Sequence, residues 1–358
     1  MFLAKLGAIL TFYILLSCFI SMAEKVGTEK DKALQLAPLS KSTNSTGAVV
    51  VSVKNVKKKY GKKLVLDDVS FDISAGEIFG LLGSNGAGKS TITKIITGLE
   101  NQSEGKVVYY SGKPVNLKGK IAIVPQAISA YLNSSVEENM RFFASLTNLT
   151  KEMQKKRIEY LLSWLQIDGF RKMPVEYLSG GYQRLLNIAL SLISDPEIIF
   201  FDEPTVGLDP GMRKMFWKKI IELENLNKTI IITTHYMDEA EHLCSKITLL
   251  KNGKVVAYGA PKELILEYGG PSILQVNTKN PVDTVTLELL RKKLGPIPVE
   301  YVNKTINISM KNNQLFEQIV GVLDEIAQKK FVISSVDLKR ATLEDVFINI
   351  TGSKMGEA

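Results

Sequence analysis

The sequence predicts an α/β fold: a β-rich entry, a parallel-sheet core with a helical insertion, then a small α+β domain at the C-terminus. Three observations carry this prediction. Apolar strand residues, a glycine-rich loop and a helical pattern follow one another across residues 77–99. The apolar run Ile198-Ile199-Phe200-Phe201 ends in Asp202-Glu203, as a buried parallel strand with an acidic carboxyl end would. A second run, Thr229-Ile230-Ile231-Ile232-Thr233-Thr234, ends at His235.

A chain of 358 residues accommodates one large domain and a smaller one, and a 45% hydrophobic content suffices for a packed core. Two cysteines, Cys18 and Cys244, exclude a disulfide framework and Cys-rich zinc sites. The net charge of +8 is mostly lysine, spread along the chain. It suits an anionic nucleotide or an acidic membrane face, and no nucleic acid partner is expected.

Residues 1–23 stand apart, because from Leu6 to Ala23 no side chain is charged. That length is close to the roughly 17 residues a membrane-spanning helix needs. Three readings stand: an uncleaved anchor, a signal-like segment ending in Ser21-Met22-Ala23, or an upstream start with translation beginning at Met22. Residues 24–48 mix charges with Ser, Thr and Asn without a period and read as a flexible linker.

The nucleotide core begins with Val49-Val50-Val51-Ser52-Val53 and continues through a second β-rich stretch, 64–73. A third strand, 77–82, runs into Gly83-Ser84-Asn85-Gly86-Ala87-Gly88-Lys89-Ser90-Thr91. A helical spacing with a Gly98 stop follows. Strand, glycine loop and helix in this order make a phosphate-binding loop. Gly83, Gly86 and Gly88 let the backbone curl so that its N–H groups face phosphate oxygens, and the helix N-terminus adds its dipole. Lys89 then reaches the β and γ phosphates, and the Ser90 hydroxyl ligates Mg²⁺.

Asp202 is suited to hold Mg²⁺ and Glu203 to polarise an attacking water. Pro204-Thr205 and the turn Gly207-Leu208-Asp209-Pro210 follow them directly, which argues against a mere solvated loop start. His235 ends the strand expected beside the one carrying Glu203, so it should open onto the same phosphate. His242, between Glu241 and Leu243 on the following helix, reads as a surface residue.

Together these residues resemble the ATP-binding cassette (ABC) ATPase family across residues 49–266, a branch of the P-loop NTPases. The signature Leu178-Ser179-Gly180-Gly181 separates that family from other P-loop proteins. The resemblance implies that Ser179, Gly180 and Gly181 contact the γ-phosphate of ATP held by the Lys89 site of a second cassette. One cassette alone is then incomplete, and a dimer, homo- or heteromeric, is implied. By the same resemblance Tyr60 stacks on adenine and Gln126 senses Mg²⁺ and the attacking water. Asp209 crosses the dimer interface, and His235 is the switch histidine. Val136-Glu137-Glu138-Asn139 and the amphipathic run 157–165 resemble the helical subdomain that meets the membrane partner.

This chain departs from the family after the signature glycines, with Tyr182-Gln183 where Gln is common. Leu185 and Leu190 stand where arginines are often found, leaving only Arg184 nearby. The segments 203–210 and 234–241 resemble the drug-resistance exporter branch, often called type 2. Residues 49–270 are thus expected to form the ABC ATPase domain and 271–358 a C-terminal α+β domain. The tail reads as a strand (273–278), a helix (283–293), strands (299–310), a helix (314–329) and a strand (331–338). Its last motif, Thr342-Leu343-Glu344-Asp345-Val346-Phe347, is similar to the C-terminal element of those exporter ATPases.

The expected function is ATP hydrolysis coupled to export through a separate multi-span membrane subunit, at the cytoplasmic face of the cell membrane. The alternative is a non-transport ABC ATPase of the DNA-repair or translation type. Those usually carry paired cassettes, zinc modules or long coiled coils, and none is visible in this sequence.

Overall fold

In the computed structural model of the chain, residues 39, 42, 47–110, 119–310 and 332–352 are described. The hydrophobic segment 1–23, most of the linker and the expected helix at 314–329 lie outside the described residues. The chain divides into two units, Met1–Tyr258 and Gly259–Ala358.

In the first unit, β1 (Val49–Tyr60) and β2 (Lys63–Ser74) form an antiparallel pair. Strand β4 (Glu104–Tyr109) pairs with the other edge of β1, giving the order β2-β1-β4. Burial alternates along β2 from Val69 to Ile73 but is continuous along β1 from Val50 to Val53, and Val51, Val53, Val56, Leu66, Val69 and Ile73 are buried in one cluster with Phe79, Ile92 and Ile231. Each such side chain removed from water stabilises the fold by about 1.5–3 kcal/mol.

The central sheet contains β3 (Ile78–Gly83), β5 (Ile121–Val124), β6 (Ile198–Asp202), β7 (Thr229–Thr234), β8 (Lys246–Lys251) and β9 (Lys254–Gly259). Its order is β5-β6-β7-β3-β8-β9, and the four pairings from β5 to β8 are parallel. Every residue of β3 and β7 is buried, as is all of β6 before Asp202. The continuous apolar runs are therefore strands covered on both faces, which removes the need for alternation.

Register sets the functional edge. Asp202 lies opposite Thr233, and Leu82 lies opposite Thr234. The carboxyl ends of β3, β6 and β7 consequently deliver the glycine loop, Asp202-Glu203 and His235 to one edge of the sheet, where open α/β folds bind ligands.

Helices α1 (Lys89–Ile96), α2 (Val136–Ser145), α3 (Lys151–Trp164), α4 (Gly180–Leu192), α5 (Pro210–Asn225) and α6 (Met237–Leu243) complete this unit. Several start at signals readable in the sequence. Ser135 and Glu138 form a reciprocal capping box on α2, and Thr150 caps α3. Asp209 caps α5 by accepting from Gly211 N at 2.9 Å and Met212 N at 3.0 Å, with Pro210 in the first helical turn.

In the second unit, α7 (Pro261–Tyr268) precedes a four-stranded antiparallel sheet. Its order is β11-β12-β10-β13, with β10 (Ser272–Thr278) and β12 (Thr305–Met310) central and β11 (Val299–Val302) and β13 (Ile333–Lys339) at the edges. Helix α8 (Thr284–Leu294), capped by Asp283, sets Leu287 and Leu290 against Leu274, Val276, Ile306 and Ile308. Helix α9 (Leu343–Thr351) opens on a Thr342–Asp345 capping box and ends at Gly352 with a φ of 71°. Among the described residues, no helix is long and apolar enough to cross a membrane.

Candidate functional site

The loop between β3 and α1 is shaped by its glycines. A Cβ on Gly83 would fall 2.5 Å from the Leu250 carbonyl oxygen. Gly88 has a φ of +109°, and a Cβ there would meet Leu66 Cδ2 at 2.6 Å. Neither position accepts a side chain. Ala87 N donates to Ser84 O at 3.1 Å, and Gly253 N donates to Ala87 O at 3.0 Å, so the loop is tied both to itself and to the turn after β8. Ser84, Asn85 and Gly86 form its crest, while Ser90 and Thr91 occupy the first turn of α1.

Lys89 is buried, and its Nζ donates to Gly83 O at 2.7 Å and Ser84 O at 3.1 Å. Burial lowers the pKa of its ammonium, against the opposing pull of Glu203 and Asp202.

Glu203 is the point of convergence. Its Oε1 lies 3.9 Å from Lys89 Nζ and 3.3 Å from His235 Nδ1. Its Oε2 accepts from Gln126 Nε2 at 3.5 Å. The residue sits just past β6 with a φ of +45°, a left-handed conformation uncommon for a non-glycine residue. Its backbone N donates to Thr233 O at 3.0 Å, and the Thr233 hydroxyl stands 3.1 Å from the same nitrogen. That hydroxyl also donates to Asp202 Oδ1 at 2.6 Å, so Thr233 fixes both acids.

Ser179, Gly180 and Gly181 stand at the start of α4. Ser179 is the N-cap residue, yet its hydroxyl makes no capping bond. Gly180 has open space where a Cβ would be, whereas a Cβ on Gly181 would meet Met212 Cε at 2.7 Å. The signature turn thus packs directly on α5, the helix that Asp209 caps. Neither this turn nor Asp209 hydrogen-bonds to the Glu203 cluster among the described residues. Tyr60, at the end of β1, is 46% exposed and donates from its hydroxyl to Glu100 Oε2 at 2.6 Å. Lys58 Nζ lies 4.9 Å from its ring centroid.

Side chains outside the predicted site set this geometry too, among them Arg184, Gln183 and Tyr182, named above only as departures from the family pattern, and Asn187, not named at all. Arg184 is buried and donates to the carbonyl oxygens of Pro125 and Gln126, and burial lowers its pKa. Asn187 donates to Ala127 O at 2.8 Å and accepts from Ser129 N at 2.9 Å. Together they hold the loop around Gln126 to α4. An Asn within Leu185-Leu186-Asn187-Ile188-Ala189 was a readable signal, because a buried amide needs partners. Gln183 donates to Val175 O at 2.9 Å and Leu178 O at 3.2 Å, bracing the signature turn. Tyr182 packs its ring 4.5 Å from that of Phe170.

The donor set fits a magnesium-bound nucleotide. Mg²⁺ prefers one or two carboxylates, hydroxyls and phosphate oxygens to an all-protein cage. Asp202 and Ser90 supply the first two kinds, and no cluster of three His, Cys, Asp or Glu occurs among the described residues. A buried ammonium, a helix N-terminus and a glycine loop supply positive potential for the phosphates.

Comparison with known proteins identifies the family. The ABC transporter family model matches residues 66–206. The linearmycin resistance ATP-binding protein LnrL of Bacillus subtilis is 34% identical over 309 residues, covering 85% of this chain and 98% of that protein. The Nod factor export ATP-binding protein I of Sinorhizobium fredii is 34% identical over 322 residues, covering 87% and 89%. Among solved structures, cbiO1 from Clostridium perfringens, part of the ABC transporter complex cbiONQ, superposes with a TM-score of 0.57 at 29% identity. That match covers 62% of this chain and 92% of the solved one. The chain therefore belongs to the ABC transporter family, as an ATP-binding ATPase subunit.

Proposed function

We propose that this chain supplies the energy for an exporter. Two cassettes close around ATP, and hydrolysis reopens them. A separate multi-span membrane subunit, docked at the cytoplasmic face, converts that motion into transport. The observation that carries the reading is the convergence of Lys89, Gln126 and His235 on the Glu203 carboxylate. The names of the two relatives, one a resistance protein and one an export protein, favour outward transport.

In this reading Gly83 to Thr91 wrap the phosphates, and Lys89 neutralises charge on the β and γ groups. Glu203 accepts a proton from the attacking water, while His235 and Gln126 hold that carboxylate and the water in line. Ser90, Gln126 and Asp202 would hold Mg²⁺, which would neutralise charge developing on the phosphoryl oxygens. Tyr60 offers its exposed ring to adenine. Ser179, Gly180 and Gly181 donate to the γ-phosphate bound by the partner cassette. The unused hydroxyl of Ser179 suits that role, since a capping serine would already be committed.

Affinity purification of the tagged chain from gently solubilised membranes tests the transport reading. A multi-span membrane protein should co-purify and stimulate ATP hydrolysis. Recovery with ribosomes or DNA, and with no membrane protein, would overturn it.

A further inference from the structure

We propose that Glu239 is a positioning residue for hydrolysis, whose buried Oε1 fastens the segment after Glu203 to the helix after His235. The proposal rests on the roles given above to Glu203 and His235.

Glu239 is fully buried on α6, four residues past His235. Its Oε1 accepts from the Thr205 hydroxyl at 2.9 Å and from Trp217 Nε1 at 3.1 Å. Thr205 is itself buried and lies two residues past Glu203. Trp217 belongs to α5, which Asp209 caps. Three segments therefore meet at one oxygen: those that carry the base, the histidine and the aspartate of the turn.

The contact falls where the sheet stops helping. The last paired residues of β6 and β7 are Asp202 and Thr233, and Glu203 N to Thr233 O is the next bond outward. Beyond it the chain turns through Glu203 in a left-handed conformation, which a strand ladder does not enforce. The 3.3 Å contact between Glu203 and His235 joins two side chains that are both past the ladder. A tie from Thr205 to Glu239 closes the arrangement from the other side. Catalytic groups displaced by about 1 Å lose rate far more than binding.

A carboxylate is an expensive choice for this place. Burial raises its pKa, and the groups that reach the carboxylate, the hydroxyls of Thr205 and Thr234 and the Trp217 indole N–H, are all neutral donors. An apolar side chain of similar size would fill the space at lower cost, but it would leave Thr205 and Trp217 without an acceptor. The Thr205 and Trp217 bonds both fall on Oε1, so the tie between the segments runs through that oxygen. An acceptor at that point is what the site uses, and a glutamine carbonyl can provide one.

Steady-state ATP hydrolysis by Glu239→Met, Glu239→Gln, Thr205→Val and the Thr205→Val/Glu239→Met double variant tests this. Glu239→Met and Thr205→Val should each lower kcat about tenfold or more, with KM for ATP changed less than about twofold. Glu239→Gln should recover most of the loss, and the double variant should fall no further than the worse single one. A wild-type kcat in Thr205→Val or Glu239→Met would overturn the proposal, as would a Glu239→Gln as impaired as Glu239→Met. Thermal unfolding of each variant accompanies the kinetics, and a kcat loss that merely follows loss of folded protein also overturns it. A Glu203→Gln control separates the two levels. Normal hydrolysis by that control sinks the assignment of the base, whereas an inactive control beside a normal Glu239→Met sinks only the positioning role.

Discussion

Glu203 and His235 come from adjacent parallel strands, and their side chains meet at 3.3 Å between Oε1 and Nδ1. The contact joins a carboxylate able to take a proton from water to a ring able to orient it or donate to a phosphate. Glu203→Gln keeps the shape and removes the base. Hydrolysis should fall by about 10²–10⁴-fold while ATP binding persists, and an ATP-bound dimer should accumulate in size-exclusion runs. Phosphate release at the wild-type rate would contradict the assignment.

Asp209 has an observed role as a helix cap and a proposed one at the dimer interface, and the two are separable. As the N-cap of α5 it accepts from Gly211 N and Met212 N, a contribution of about 1 kcal/mol. Asp209→Asn keeps the cap, so urea unfolding of the isolated chain should match wild type, whereas Asp209→Ala should lose about that amount. Both variants should impair hydrolysis if the aspartate also serves the dimer interface. Wild-type hydrolysis by Asp209→Asn would confine the residue to capping.

Much of the site was legible because its motifs are local. The Gly83–Ser90 loop, the Ile198–Glu203 run and the strand ending at His235 each sit on one continuous stretch, and apolar runs identified the buried parallel strands. Strand adjacency then followed from where those ends must meet. Thr233, Arg184, Asn187 and Glu239 were not legible in the same way. Thr233 reads as one more β-branched strand residue until β6 is known to lie beside β7. Arg184 and Asn187 matter through carbonyls of residues 125–127, which lie about sixty positions away. Glu239 looks like any acid on a short polar helix, and it is buried where α5 and the segment of Thr205 meet α6. His242, read as a surface residue, is exposed and stacks 4.7 Å from Trp217.

Lys89 carries a pH signature. Its pKa is lowered in the fold by burial. Between that value and the unfolded value of about 10.4, the folded state binds fewer protons than the unfolded chain, so stability rises with pH in this window. Lys89→Met removes the titrating group and should flatten that part of the curve of urea midpoint against pH. An unchanged alkaline rise would show that Lys89 is not its source.

Cys244 is buried at the end of α6, and burial raises its thiol pKa. Its thiolate is scarce and shielded. In a Cys18→Ser background, Ellman's reagent should modify Cys244 only as fast as the protein unfolds. Rapid labelling of the folded protein would contradict the burial of this thiol.

The proposed ATP site is shared, with Lys89 from one chain and Ser179 from another. Lys89→Ala and Ser179→Arg should each abolish hydrolysis alone, the first by losing ATP and the second by blocking closure. Mixed in equal amounts, the two variants form a dimer in which one site is damaged twice and the other keeps both native halves. Random pairing of a self-associating chain places about a quarter of the wild-type number of intact sites in the mixture. Phosphate release by the mixture should therefore rise from the level of the inactive variants toward that fraction. A mixture as inactive as its components, in which heterodimers are shown to form, would contradict the shared site.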